Sequence, residues 1–457
     1  MSTLTLDPIK IAAKPAAPPT RSSTRPRNEF VIRGGHVLTM DDALGNLPDA
    51  DIHVRDGRIM AVGKALALPH VQEIEGRGML VLPGFVDTHW HLWNSSLRAL
   101  VRGDDARMGY FPITLKYGPL YTPEDSYRSV RLGLAEGLAS GITTVNNWSH
   151  NTRSPAHADA ELRAMRETGV RGRFSYGWGQ ELPLDQVMDL DGLARTQRDV
   201  LAADDLITLG AAVRTPLSNP RGAVPIEVVI AEYETIRQLG LPITMHARPG
   251  IVSVLAPHGL LGPDVQLVHP QGVSPDERKI LAASCSTMSC SPVIELLYAQ
   301  ATRGEIQYQE LREHGVQMSL SVDSSAASAN ADFFNCMRAL LWSHKQRFGN
   351  TIPMTAQQLL ELATIEGARD LGIADQVGSL TPGKRADIIM VRATDPNIGP
   401  VLDPAFALVY AAQPSNIDTV IVDGKVLRRK GQFVGLDSEQ VMWEATESVR
   451  GLAARAG

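Results

Sequence analysis

Cysteine is scarce in this 457-residue chain. Cys285, Cys290 and Cys336 are too few and too clustered for a disulfide framework, which points to a reducing compartment and a cytoplasmic protein. No apolar run approaches the roughly 18 residues needed to cross a bilayer, so no membrane partner is expected. Charge of one sign is lacking too: 44 basic residues stand against 50 acidic ones, for a net charge of -6. Without a basic stripe, nucleic acid is excluded as an expected partner. The first 28 residues lack the apolar core of a signal peptide and a twin-arginine pair. Their Pro, Ala, Ser, Thr and Arg content predicts a disordered tail.

What is present reads as two textures. Residues 29–82 contain short alternating runs, "FVIRGGHVLTM", "DIHVRDGRIMAVG" and "QEIEGRGMLVLP", with Asp56-Gly57 as a hairpin signal. The texture returns in "ADIIMVRA" and "IDTVIVDGKVLRRKGQFV", with Asp423-Gly424. Neither piece alone makes a sheet that buries a face, so the two are expected to form one small β-sandwich domain from both chain ends. Between them eight short apolar strands alternate with amphipathic helices: "LVLPGFVDTH", "GITTVNNW", "RGRFSYGW", "LITLGAAVRT", "LPITMHAR", "VQLVHP", "CSTMSCSP" and "VQMSLSVDSS". That alternation predicts an α/β fold, a (β/α)₈ TIM barrel. The expected divisions are a tail over 1–28, the β-domain over 29–82 and 376–437, the barrel over 83–375, and a C-terminal helix over 438–457.

In such a barrel chemistry sits at the carboxyl ends of the strands. Strand side chains alternate faces, so His89 and His91 in "FVDTHWH" point the same way and can grip one ion from one side. A lone His-x-His is more often a hydrogen-bonded pair. Here, however, strand five ends in His246 and strand eight in Asp323. Three imidazoles and a carboxylate suit Zn²⁺, Fe²⁺, Co²⁺ or Mn²⁺ with a coordination position left for water. His269, at the end of strand six, aims a fifth polar group at the same mouth.

"PGFVDTHWH" resembles the strand-one signature of the metal-dependent amidohydrolase superfamily. "LYTPEDSYRSVRLGLAEGLASGITTV" and "ATIEGARDLGIADQVGSLTPGKRADIIMV" follow in the matching order. The resemblance covers roughly residues 29–437 and is to the branch of cytosine, guanine and S-adenosylhomocysteine deaminases and triazine chlorohydrolases. It implies a metal held by His89, His91, His246 and Asp323, with His269 beside the activated water. Relatives with two metals carry a lysine on strand four. "LITLGAAVRT" has none, so one divalent ion per site is expected, zinc first. Arg214 on that strand either orients an anionic substrate group or is a packed, paired arginine.

Two departures stand out. Where the deaminases usually place a proton-shuttling glutamate after the strand-five histidine, "HARPG" has Pro249, which has no proton to give. Strand seven reads "MSCSP", where relatives often show histidine and asparagine. Expelling an amine needs a positioned acid, which contributes about 10²–10⁴-fold. Three readings follow in order: another shuttle (His269, Asp323 or His150), a better leaving group than an amine, or a protein that no longer catalyses. The expected mechanism is metal-assisted hydrolysis, with Asp323 accepting the proton of water and His269 stabilising developing charge.

Aromatic residues make up only 5% of the chain, yet four of six tryptophans fall at the predicted rim. Trp90 reads as core packing. Trp93, Trp148 and Trp178 are expected to wall the pocket, with help from Phe333 and Phe334. His150 and Cys290 are further candidate substrate contacts, although a buried inert thiol is the commoner fate of such a cysteine. No cluster of charges suits a phosphate. The expected substrate is a small, mostly neutral and apolar compound: an amide, carbamate, thiocarbamate, urea or substituted heterocycle, met in xenobiotic catabolism. Cleavage of a C–N, C–S or C–halogen bond is the leading reading and heterocycle deamination its rival. A silent metal-binding assembly protein is the reading from another class. A homo-oligomer is expected by resemblance alone.

Overall fold

The computed structural model describes residues 29–203, 206–218, 222–298 and 304–457. The predicted tail lies outside these residues. Eight parallel strands run in sequence order through one sheet: Phe85–Trp90, Ile142–Ser149, Arg171–Tyr176, Ile207–Val213, Ile243–His246, Val265–Val268, Thr287–Cys290 and Met318–Leu320. The eighth closes onto the first beside the site. His91 donates its backbone N–H to Asp323 (2.6 Å), and Asp323 donates to His89 (2.9 Å). The barrel therefore seals through three of its polar tip residues. Helices such as Pro123–Ala139, which opens on a Thr122–Asp125 capping box, cover the outside. The C-terminal helix Ser438–Ala456 packs on that helix, with Arg131 and Glu444 paired at 2.6 Å.

A nine-stranded mixed sheet unites the two ends of the chain. Met79–Pro83 lies parallel to Phe30–Leu38 and antiparallel to Ile388–Arg392. Ile32, Ile52, Ile74, Val81, Ile388 and Ile421 share its core. Both Asp-Gly pairs make the tight hairpins their residues favour, with positive φ at Asp56, Gly57, Asp423 and Gly424. Arg171, at the foot of the third barrel strand, joins the two sheets through a buried fork to Asp387, at 2.7 and 3.1 Å.

The run "LVLPGFVDTH" is two strands rather than one. Residues up to Pro83 belong to the terminal sheet, and those from Phe85 belong to the barrel. Gly84 is the pivot. Its N–H goes to Asp387 in one sheet (3.0 Å), and that of Phe85 goes to Gly141 beside the other (2.9 Å). A Cβ at Gly84 would lie 2.0 Å from Thr143 Oγ1, so only glycine fits where the chain changes sheets. An uninterrupted apolar run conceals such a handover.

Candidate active site

The first strand is buried throughout and sends His89 inward, and His91 follows its last residue, Trp90, with its ring on the same side. His246 ends the fifth strand. The sixth and eighth strands stop at Val268 and Leu320, and His269 and Asp323 follow in left-handed backbone conformations, with φ of 78° and 66°. Side-chain-bearing residues pay for that conformation, and such strain gathers at functional sites. Here it swings both groups over the barrel mouth.

The Nε2 atoms of His89, His91 and His246 form a triangle with every side 3.2 Å. Asp323 Oδ1 lies 3.3 Å from His91 Nε2 and 3.7 Å from that of His89. One donor atom from each of the four residues falls within 4.8 Å of the others. Zn–N bonds of 2.0–2.1 Å in a tetrahedron put nitrogens about 3.3 Å apart, close to this spacing. His91 directs Nδ1 to the carbonyl of Trp148 (3.2 Å), which leaves its Nε2 lone pair inward.

Electrostatics agree with the geometry. Burial, together with the neighbouring His91, brings the pKa of His89 down to about 3, and burial also lowers His246 well below the usual histidine value. Burial by itself would raise the Asp323 carboxyl, but the imidazoles of His89 and His91 beside it outweigh that and hold it well below normal. Neutral imidazoles and an ionised carboxylate are the forms a metal requires. Among the described residues this is the one group of such donors, and the fourth strand carries no lysine.

His269 stacks on His246 at 5.5 Å, nearly parallel, with Nε2 3.5 Å from Asp323 Oδ2. Its Nδ1 faces Glu295 Oε1 at 3.2 Å. Above these groups opens a cavity of about 630 Å³ whose lining includes Phe111, Trp148, His150, Trp178, Leu182 and Ile294. Trp148 packs against His89, His91 and His246 with ring centroids 5.3, 4.9 and 4.2 Å away. His150 packs on His91 at 4.3 Å.

Three expectations about the walls fail. Trp93 is buried behind His150 and does not line the cavity; its indole N–H donates to His150 Nδ1 at 3.1 Å. Cys290 does not line the cavity; it is buried behind Glu295 and donates to its Oε2 at 3.0 Å, and burial beside that carboxylate pushes its thiol pKa far up, so it stays protonated. Phe333 stacks on Phe85 and Phe334 meets the same ring edge-on, both in the core instead of facing substrate. Trp90 is core, as expected. Arg214 does border the cavity, but its guanidinium is spent on Glu232 (3.1 Å) and the carbonyls of Pro183 and Gln186. It is the packed, paired arginine of the two alternatives.

Sequence reasoning missed Glu295. The residue sits in the short helix Pro292–Tyr298 after the seventh strand, where "PVIELL" reads as ordinary helix. Its distance of 26 residues from His269 offers no periodic signal. Arg248, Tyr110 and Tyr298 also line the cavity without having been singled out.

Residues 80–427 match the model of the amidohydrolase family. The chain belongs to that family. It is similar to a 5-methylthioadenosine/S-adenosylhomocysteine deaminase of Pelotomaculum thermopropionicum, 30% identical over 91% of this chain and 97% of the relative. It is also 27% identical to a 5'-deoxyadenosine deaminase of Methanosarcina mazei, over 93% of this chain and 99% of the relative. Among solved structures it shares the fold of a mutant atrazine chlorohydrolase from Arthrobacter aurescens complexed with zinc and atraton. That likeness has a TM-score of 0.81 and 23% identity, covering 92% of this chain and all of the other. A zinc-bound adenosine deaminase from Xanthomonas campestris gives a TM-score of 0.79 and 21% identity over 93% and 99% of the two chains. The family and the donor cluster together make this amidohydrolase a hydrolytic enzyme whose donors fit a divalent metal ion.

Proposed function

We propose that this amidohydrolase is mononuclear and cleaves a C–N, C–S or C–halogen bond in a small, mostly neutral and apolar compound: an amide, carbamate, thiocarbamate, urea or substituted heterocycle. His89, His91, His246 and Asp323 would hold the ion. When bound, a divalent ion supplies a Lewis acid and makes water a nucleophile near neutral pH.

The chain's own residues divide the remaining work. Asp323, kept ionised by its histidine neighbours, accepts the proton of the attacking water. His269 Nε2, in the same mouth, hydrogen-bonds the polarised oxygen or leaving atom of the substrate and stabilises charge that develops there. Trp148 and Trp178, edge to face at 5.4 Å, offer a flat apolar wall. The observation that carries the reading is the composition of this cavity. Beside its polar groups it sets the aromatic and aliphatic side chains of Phe111, Trp148, Trp178, Leu182 and Ile294, the guanidinium of Arg214 is neutralised, and Pro249 stands where a deaminase would keep its acid. Breakdown of xenobiotic compounds suits such a pocket.

Deamination of a heterocycle is a second reading, favoured by the names of the sequence relatives. Product analysis separates the two. Zinc-loaded enzyme is offered amides, carbamates, thiocarbamates, ureas and halogenated or aminated heterocycles, while amine, thiol, halide and ammonia are assayed. Release of substituted amine, thiol or halide is expected. Ammonia from aminoheterocycles alone would establish the second reading, and no turnover of any class by fully loaded protein would overturn both.

A further inference from the structure

We infer that Glu295 is a positioning residue for His269, returning to the site, from the opposite side of the imidazole, the carboxylate that Pro249 lacks. The inference rests on the reading of His269 as a group that meets substrate. Glu295 is 1% exposed and has no lysine or arginine partner among the described residues; His269 is the basic side chain it meets. A carboxylate buried without a cation is expensive, so its place beside the His269 ring calls for a use of its charge.

Its fixing is complete. Oε1 accepts the backbone N–H of Ser291 at 2.8 Å and faces His269 Nδ1 at 3.2 Å, while Oε2 accepts the thiol of Cys290 at 3.0 Å. Cys290 and Ser291 are the two residues at which the seventh strand departs from its relatives. Both residues of the strand-seven departure thus meet at one carboxylate. With Nδ1–H given to Glu295, the ring is locked in plane, stacked on His246, and its Nε2 lone pair faces Asp323 and the cavity. Nε2 takes on the proton that Asp323 receives from water and, as Nε2–H, meets the charge that develops on the substrate. A carboxylate that sets the tautomer and orientation of an imidazole is a recurrent device in hydrolysis.

The test uses the full-length, zinc-loaded enzyme and the best substrate found above. Glu295→Ala is expected to lower kcat by about 10²-fold or more with KM little changed and zinc content intact. Glu295→Gln, which keeps an acceptor for Nδ1–H, is expected to recover about tenfold of that loss. Nitrogen-15 NMR of the histidines, with His269 assigned from His269→Asn, should show a protonated Nδ1 in the parent protein and a changed signal in Glu295→Ala. A kcat for Glu295→Ala within about threefold of the parent would overturn the inference, because positioned proton donors contribute far more than that. So would an unprotonated Nδ1 in the parent, a measurement that stands even where Glu295→Ala folds poorly. His269→Asn distinguishes the two levels. Near-normal turnover there removes His269 from the proposed function, whereas steep loss there with a normal Glu295→Ala sinks only the role of Glu295.

Discussion

Substituting Gly84 with alanine tests how the chain changes sheets just ahead of the metal-site histidines. The new Cβ would meet Thr143 at 2.0 Å (Oγ1), 2.2 Å (Cγ2) and 2.6 Å (Cβ), all well inside contact distance. These atoms lie at the root of a buried side chain, so no rotamer change clears them. One of the first two barrel strands must shift, against the hydrogen bonds that hold Gly84 to Asp387 and Phe85 to Gly141. Overpacking costs about 1–3 kcal/mol, and contacts this short belong at the upper end. With about 2.1 cal/mol/K of unfolding entropy per residue, 1 kcal/mol moves the midpoint of a chain this long by only about 1 °C, so a drop of about 3 °C is expected. Differential scanning fluorimetry on the zinc-loaded protein measures it, and zinc content reports whether His89 and His91 have moved. Thr143→Ala removes two of the three clashing atoms and should restore part of the loss in Gly84→Ala, leaving the contact at 2.6 Å. An unchanged midpoint and full zinc in Gly84→Ala would refute the account of the pivot.

Other perturbations probe separate layers. Arg171→Met leaves Asp387 buried without its cation, while Asp423 keeps Arg385 at 3.2 Å; the change should cost about 3–5 kcal/mol, read as faster hydrogen exchange in the terminal sheet. Burial raises the pKa of Glu161 to about 7, partly opposed by donors from Asn147 and Ser149. Its folded value therefore lies above the unfolded one, so its stability contribution is complete below pH 4.5 and is lost as pH rises toward 7. The loss amounts to about 3 kcal/mol. Glu161→Gln should flatten that decline, and parallel pH-stability curves for parent and variant would contradict it. Chelation of the zinc-loaded enzyme should abolish turnover and lower the melting temperature, with both restored by added zinc; a chelator-insensitive rate would remove the metal from the chemistry.

The barrel and its four donors were legible in the sequence because strand periodicity and strand-end position are local properties. His89 and His91 announce themselves two apart, and His246, His269 and Asp323 each close a short apolar run. The pocket wall was less legible. Trp93 and Cys290 sit next to tip residues in the chain, yet each turns to satisfy a hydrogen bond elsewhere, to His150 and to Glu295. Sequence adjacency gives the position of a backbone and says little of which neighbour a polar side chain will choose. Glu295 was invisible for the converse reason: its partner comes from another strand, and nothing in its own segment marks it. The handover at Gly84 was hidden because both flanking strands are equally apolar, and only the space beside Thr143 distinguishes them.

The strand Met79–Pro83 finds its antiparallel neighbour in Ile388–Arg392, at the other end of the molecule's synthesis. A ribosome delivers the barrel before it delivers that neighbour, so the amino-terminal hairpins must wait with one side of Met79–Pro83 unclaimed. A chain cut short after the barrel would keep that open border, available to any passing strand. Completion of the last few dozen residues therefore acts as a seal on the whole molecule, and fragments ending before Ile388 should be sticky where the finished chain is not.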